Sequence, residues 1–194
     1  MRDGPGPAVE ANVTGEGRRT MELRTERLEL IACTATVTEA ALADPAEVGR
    51  LLGVRVPAGW PSDDLRDILP SYLHDIAADS DLLGWGPWVI IEVAGRVVVG
   101  DAGFHGEPDA ARTVEIGYGI LPAYRRRGYA TEAARGLVGW AFGRPGVARV
   151  VAECEADNVG SIRVLERLGM ARVGAAGSLL RWERAAPGRL AEEA

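Results

Sequence analysis

Thr113-Val-Glu-Ile-Gly-Tyr-Gly-Ile120, Leu121-Pro122-Ala-Tyr124 and Arg125-Arg126-Arg127-Gly128-Tyr129-Ala130-Thr131 follow one another without a break, and this stretch decides the fold. The first part reads as a strand, ended by Pro122, which lacks an N–H to continue a ladder. A helical pattern then runs to about Phe142, with Ala130, Ala134, Leu137 and Ala141 forming a small apolar stripe that can lie against a sheet. The crossing between them carries Arg125, then Gly128, then Ala130. Gly128 lets backbone approach an anion closely, Ala130 does not block it, and the free N–H groups of a helix start point outward at the positive end of the dipole. Such a crossing suits a pyrophosphate. Other phosphate motifs are missing: no G-x-x-x-x-G-K-[ST] occurs, and Gly117-x-Gly119 lacks the third glycine of a dinucleotide fingerprint.

A second segment, Asp157-Asn158-Val-Gly-Ser161-Ile-Arg-Val-Leu-Glu-Arg-Leu-Gly-Met170, opens another helix. Asp or Asn before a periodic run is a common cap, and that alone accounts for the Asp-Asn pair. Taken with the Arg125–Thr131 loop, however, the segment resembles the acetyl-coenzyme A site of the GNAT superfamily of N-acetyltransferases. The resemblance spans roughly Glu22 to Glu183 and is closer to the branch that acetylates the N-termini of ribosomal proteins. It implies an α/β (α+β) fold with a mixed, mostly antiparallel sheet of six to seven strands flanked by helices. A splayed strand pair would hold the cofactor. It also implies acetyl-CoA bound by Ile120, Leu121, Arg125, Arg126, Arg127, Gly128, Tyr129, Ala130, Thr131, Asn158 and Ser161, with the Thr113–Ile120 strand bulged at its glycines.

The chemistry implied is acetyl transfer to a primary amine, on a small molecule or a protein N-terminus, by direct attack in a ternary complex. A Lys-like amine of pKa about 10 is protonated at neutral pH and needs a base. Glu115 is the residue expected there, with pairing to an arginine or exposure to solvent as its other reading. A backbone N–H near Ile120 would meet the oxyanion. Many members of the superfamily place a tyrosine seven residues after the asparagine, as acid for the leaving thiolate. Here that position is Leu165, so Ser161 or water is left to assist. Trp60, Asp63, Asp64, Asp67 and Tyr72 are candidate walls of the acceptor side, with core packing as the other reading of the two aromatics and the polar first turns of a helix as that of the carboxylates. An acyl-CoA-binding module without catalysis is the alternative reading.

The rest of the chain fits one domain over 21–184, with a flexible leader at 1–20 and a tail at 185–194. The expected elements are a strand within Glu22–Ile31, a helix from Thr36 to Gly53 and a second from Asp63 to Ala78. A hairpin of Trp88–Val93 and Val97–Phe104 follows, then strands at Val147–Glu155, Met170–Val173 and Leu179–Trp182 around a helix at Asn158–Leu168. Apolar residues make up 47%, an ordinary globular value. The formal charge of −6 argues against a nucleic-acid surface, and no apolar run reaches the roughly 18 residues of a membrane span. With no signal-peptide pattern, a cytoplasmic monomer or homodimer is expected. Cys33 and Cys154 make no disulfide framework, His74 and His105 are read as structural or solvated, and no metal-ligand spacing occurs.

Overall fold

The computed structural model describes residues 9–13 and 19–188. Strand β1 (Val9–Val13) pairs antiparallel with β2 (Arg19–Arg24), so the sheet reaches into the stretch expected as leader; residues 1–8 and 14–18 lie outside the described residues. The expected strand at Glu22–Ile31 is two strands, β2 and β3 (Leu28–Ala32), folded back about residues 25–27. The break has a simple cause. Leu23 and Leu28 are an odd number apart, so one straight strand would send them to opposite faces. After the reversal Leu23 pairs with Leu30, and all three leucines are fully buried.

The expected helix at Thr36–Gly53 is likewise two, α1 (Ala35–Ala43) and α2 (Pro45–Leu52). Asp44 sits extended between them, and its carboxylate accepts the Ala46 N–H at 2.9 Å. Pro45 cannot donate to a preceding turn, so it starts a helix here rather than continuing one. Helix α3 (Asp63–Ala78) begins as expected, with Ser62 accepting the Leu65 N–H at 3.2 Å. Then follow β4 (Pro87–Glu92), β5 (Val97–Phe104), β6 (Thr113–Ile120), α4 (Tyr129–Phe142), β7 (Arg149–Glu155), α5 (Val159–Arg167), β8 (Ala171–Ala176) and β9 (Leu179–Ala185). The sheet order is β1-β2-β3-β4-β5-β6-β7-β9-β8, nine strands among the described residues where six to seven were expected.

Alternation along the central strands builds a core on each face. Trp88 and Ile90 join Leu137 and Trp140 beneath α4, while Val89 and Ile91 join Val37, Val48 and Leu69 beneath α1 to α3. Among the described strands only β6 and β7 pair in parallel, and their ladder covers just Thr113–Glu115 against Arg149–Val151. Beyond Glu115 the two strands part. This is the expected splayed pair, and α5 follows directly from the end of β7.

The expected bulge is elsewhere. The β5–β6 ladder runs in register from Gly100/Ile120 to Phe104/Ile116. The slip lies between β4 and β5, where Ile90 faces Gly100 but Ile91 faces Val98, leaving Val99 extra. Its consequence is visible in the packing. Val97 and Val99 point into the core under α4, and so do Ala102 and Phe104, which have the opposite parity. The extra residue therefore turns Asp101 to the α3 face of the sheet.

Candidate active site

The crossing from β6 to α4 is shaped by two left-handed residues, Arg126 at φ 61° and Gly128 at φ 85°. No side chain caps α4, so its first N–H groups are left for another acceptor. The loop is fastened from the far end of the chain. Glu132, in the first turn of α4, accepts from the Thr25 hydroxyl at 2.6 Å, the Arg27 N–H at 2.7 Å and Arg27 Nε at 2.8 Å. Burial would push the Glu132 carboxyl up, but Thr25 and Arg27 together hold it below the usual carboxylate range. Arg27 Nη1 also donates to the Arg127 carbonyl at 3.0 Å, and its guanidinium lies 5.0 Å from the Tyr129 ring centroid. Arg27 was invisible to local spacing, because its partners lie about a hundred residues away.

The three arginines of the loop differ in placement. Arg125 Nε donates to the Ile120 carbonyl at 2.8 Å, locking the end of β6. Arg127 turns back to the Ala123 carbonyl at 3.2 Å and the Tyr124 ring. Arg126 is exposed at the cleft. That cleft, of about 680 Å³, lies between the loop and α5 and is lined by Ile120, Arg125, Arg126, Gly128, Tyr129, Ala130, Thr131, Asn158 and Ser161. Of the expected cofactor residues, Leu121 and Arg127 stand outside the lining; Leu121 is buried in the core under α3. Arg163 and Arg167 of α5 line the opposite wall and were missed, because on a helix they read as solvated charge.

At the mouth of the splay, Leu121 donates to Val99 and His105 to Glu115. Odd-numbered residues of β6 thus face β5, and the Tyr118 and Ile120 N–H groups face the gap left by β7. Asn158 caps α5 through the Ser161 N–H at 3.0 Å. Leu165 is a core residue, 1% exposed. A phenol nevertheless reaches the gap from the other side: the Tyr118 hydroxyl donates to the Ser161 carbonyl at 3.4 Å. Burial pushes Tyr118 up to about 12, which keeps it protonated and able to donate.

A second cavity, of about 270 Å³, lies between α3 and the β5–β6 ladder. It shares Asp64, Tyr118 and Gly119 with the cleft, so the two spaces adjoin at the end of β6. The glycines of β6 keep it open. A Cβ on Gly117 would stand 3.2 Å from His105 Nε2, and one on Gly119 would stand 3.5 Å from Asp101 Oδ1. Burial pushes the Asp101 carboxyl up to about 7; the nearby Asp64 charge adds to this and Trp60 opposes it.

Glu115 lines neither space. Its carboxylate lies 3.4 Å from His105 Nδ1, and that contact holds it below the usual range despite partial burial. Conversely, Glu115 raises His105, which burial alone would lower. His105, read as structural or solvated, is a lining residue of the cavity. The candidate acceptor residues divide between cavity and core. Trp60 is 2% exposed in the core under α3, and the Tyr72 hydroxyl is committed to the Cys33 carbonyl at 2.8 Å. Of the candidate carboxylates, Asp64 lines the cavity, while Asp63 and Asp67 are exposed and stand outside the lining. Among the described residues no group of three or more His, Cys, Asp or Glu could hold a metal ion, and no helix is long and apolar enough to cross a membrane.

The fold agrees with that of known proteins. The family model of the acetyltransferase (GNAT) domain matches residues 27–171, and the chain belongs to that family. An uncharacterised N-acetyltransferase of Bacillus subtilis, YjdG, is 34% identical over 147 residues, 76% of this chain and 88% of the relative. Among solved structures, the ribosomal-protein-S5-alanine acetyltransferase of Vibrio fischeri superposes with a TM-score of 0.61 at 14% identity, covering 86% of this chain and 97% of its own. RimL, a ribosomal L7/L12 alpha-N-protein acetyltransferase solved with coenzyme A, gives 0.60 at 16% identity, covering 83% of this chain and 95% of its own.

Proposed function

We propose that the protein transfers an acetyl group from acetyl-CoA to a primary amine, on a small molecule or a protein N-terminus, by direct attack in a ternary complex. The observation that carries this reading is that the two cavities share Tyr118 and Gly119, beside the Ile120 N–H that faces the gap. A donor in one space and an amine in the other would meet there.

The cleft fits the acyl donor on chemical grounds. Uncapped N–H groups of α4 and the Arg126 guanidinium suit a diphosphate, and Arg163 and Arg167 add positive charge across the cleft. The edge of β6 offers peptide groups to the amide-bearing arm. Acetyl-CoA supplies an activated thioester carbonyl. The chain's part is to bind and orient it, to donate the Ile120 N–H where negative charge develops, and to assist the sulfur as it leaves. Ser161 and the Tyr118 phenol both stand at that end of the cleft. A thiol of ordinary pKa about 8.5 leaves with modest help, so a hydrogen bond suffices.

Leu165, in place of the tyrosine many relatives carry, favours the reading as a binding module without catalysis; Tyr118 answers the need from another strand. The two readings separate in one assay. Coenzyme A binding is common to both, but thiol release that depends on an added amine belongs only to the enzyme. A panel of amines and short peptides, followed with a thiol reagent, tests it.

A further inference from the structure

Asp101 is a carboxylate set in mid-strand between apolar neighbours, and the charged group acting on it most strongly is a second carboxylate, Asp64. Such an arrangement costs stability unless something cationic completes it. The fold nevertheless goes out of its way to make it, because the extra residue at Val99 turns Asp101 to the cavity face, where the facing strand carries Gly119, whose missing Cβ would otherwise stand in contact with Asp101 Oδ1 at 3.5 Å.

We propose that the cavity under α3 receives the acceptor as a cationic primary amine, that Asp101 accepts its proton before attack, and that Asp64 steadies the ammonium at the junction. This rests on the acetyl-transfer reading above and names its base and its substrate charge. Position along the strands decides between the carboxylates. Asp101 pairs with Gly119, next to Ile120, where β6 and β7 have parted. Glu115 pairs with Val151, where the parallel ladder is still closed, and its carboxylate is engaged with His105. A base must reach the nitrogen that attacks, and Asp101 lines the cavity under α3 opposite Gly119, a residue that the cavity shares with the cleft. Leu65, Ile68 and Phe104 supply apolar walls, so the cavity takes an amine carried on a small apolar body or residue.

The balance is simple. The ammonium gives one proton to the Asp101 carboxylate, which passes it to solvent. The freed lone pair forms the C–N bond, the C–S bond breaks, and the remaining extra proton on nitrogen ends on sulfur, giving the amide and free thiol. The titratable groups that bear on Asp101 are Asp64 from α3 and the buried Cys33 thiol after β3, with Trp60 from the preceding loop as a polar neighbour; His105 lies further along β5. Burial, with Asp101 adding to it, pushes Cys33 up to about 12, so that thiol stays neutral.

The test combines carboxyl carbon-13 NMR on the protein without ligands and pH profiles of kcat/KM for wild type, Asp101→Asn, Asp101→Glu, Asp64→Asn and Glu115→Gln. The expected result is a carboxyl titrating near pH 7 that disappears in Asp101→Asn. That variant should fall about 100- to 10,000-fold in kcat/KM and lose the limb near pH 7, while coenzyme A affinity by calorimetry is kept. Asp101→Glu should restore part of the rate, and Asp64→Asn should raise KM more than it lowers kcat. An Asp101 signal titrating in the ordinary carboxylate range overturns the inference, as does a limb lost in Glu115→Gln but kept in Asp101→Asn. If Asp101→Asn does not fold, the wild-type NMR titration decides. Thiol release by wild type with no amine in the panel overturns the acetyl-transfer reading and this inference with it; wild-type rates in Asp101→Asn overturn this inference alone.

Discussion

Gly128 separates backbone strain from anion binding in one position. Its φ of 85° lies where a side chain is strained, and a Cβ would stand 3.3 Å from Arg27 Nη2, the movable end of a side chain. Gly128→Ala should therefore cost about 1–2 kcal/mol through the left-handed backbone, lowering Tm by roughly 2–8 °C for a chain of this size. Gly128→Asp should cost no more in stability, since Asp tolerates that region better than Ala. Binding should differ sharply. A carboxylate about 4 Å from a diphosphate charge is repelled by about 4 kcal/mol at the effective dielectric of a protein surface. That corresponds to roughly a thousandfold loss of coenzyme A affinity, at about 1.4 kcal/mol per factor of ten. Isothermal titration calorimetry of both variants, with thermal melts, reads the two effects apart. A folded Gly128→Asp that binds coenzyme A with unchanged affinity would refute the assignment of the diphosphate to this loop.

Ser161→Ala should slow the chemical step about tenfold, the effect of losing about 1.4 kcal/mol of hydrogen bonding to the developing thiolate. Coenzyme A affinity should survive because the helix cap uses the Ser161 N–H, which alanine keeps. An unchanged single-turnover rate would return the role to water or to Tyr118. Glu115→Gln should lower the His105 pKa toward its ordinary 6.5, measured by proton NMR. His105 is raised and Glu115 lowered, so their pair stabilises the fold fully between about pH 4.5 and 6.5. The contribution is lost as pH rises through the raised His105 value, and again as pH falls through the lowered Glu115 value. With side chains 57% and 35% exposed, it should be at most about 1 kcal/mol. Urea titrations of the two proteins across pH 4 to 8 that run parallel throughout would show that the pair contributes nothing.

The part of the chain that could be read directly was the part whose signals are local. β6, its Pro122 stop and α4 appear where a strand run, a proline, a glycine and an apolar stripe follow each other within thirty residues. The hairpin of β2 and β3 was hidden because Leu23, Leu28 and Leu30 look like one imperfect strand until the parity of their spacing is taken as a reversal. Asp44 and Pro45 held the division between α1 and α2 in plain view, as a cap and a first-turn proline. The acceptor side was less legible for a physical reason. Trp60 and Tyr72 are amphipathic and read equally as walls or as core, and both are spent on the core beneath α3. Asp101 shows no motif at all. Its place depends on a one-residue slip in β5 that has no pattern in the sequence, although the glycines it faces in β6 could be read.

The central claim is tested most directly by mixing the purified protein with acetyl-CoA and measuring free thiol with and without an amine panel that includes short peptides, with mass analysis of the products. Thiol release that requires an amine, with one acetyl group gained by that amine for each thiol freed, is the predicted result. Tight coenzyme A binding with no amine-dependent thiol and no acetylated product across the panel would contradict it.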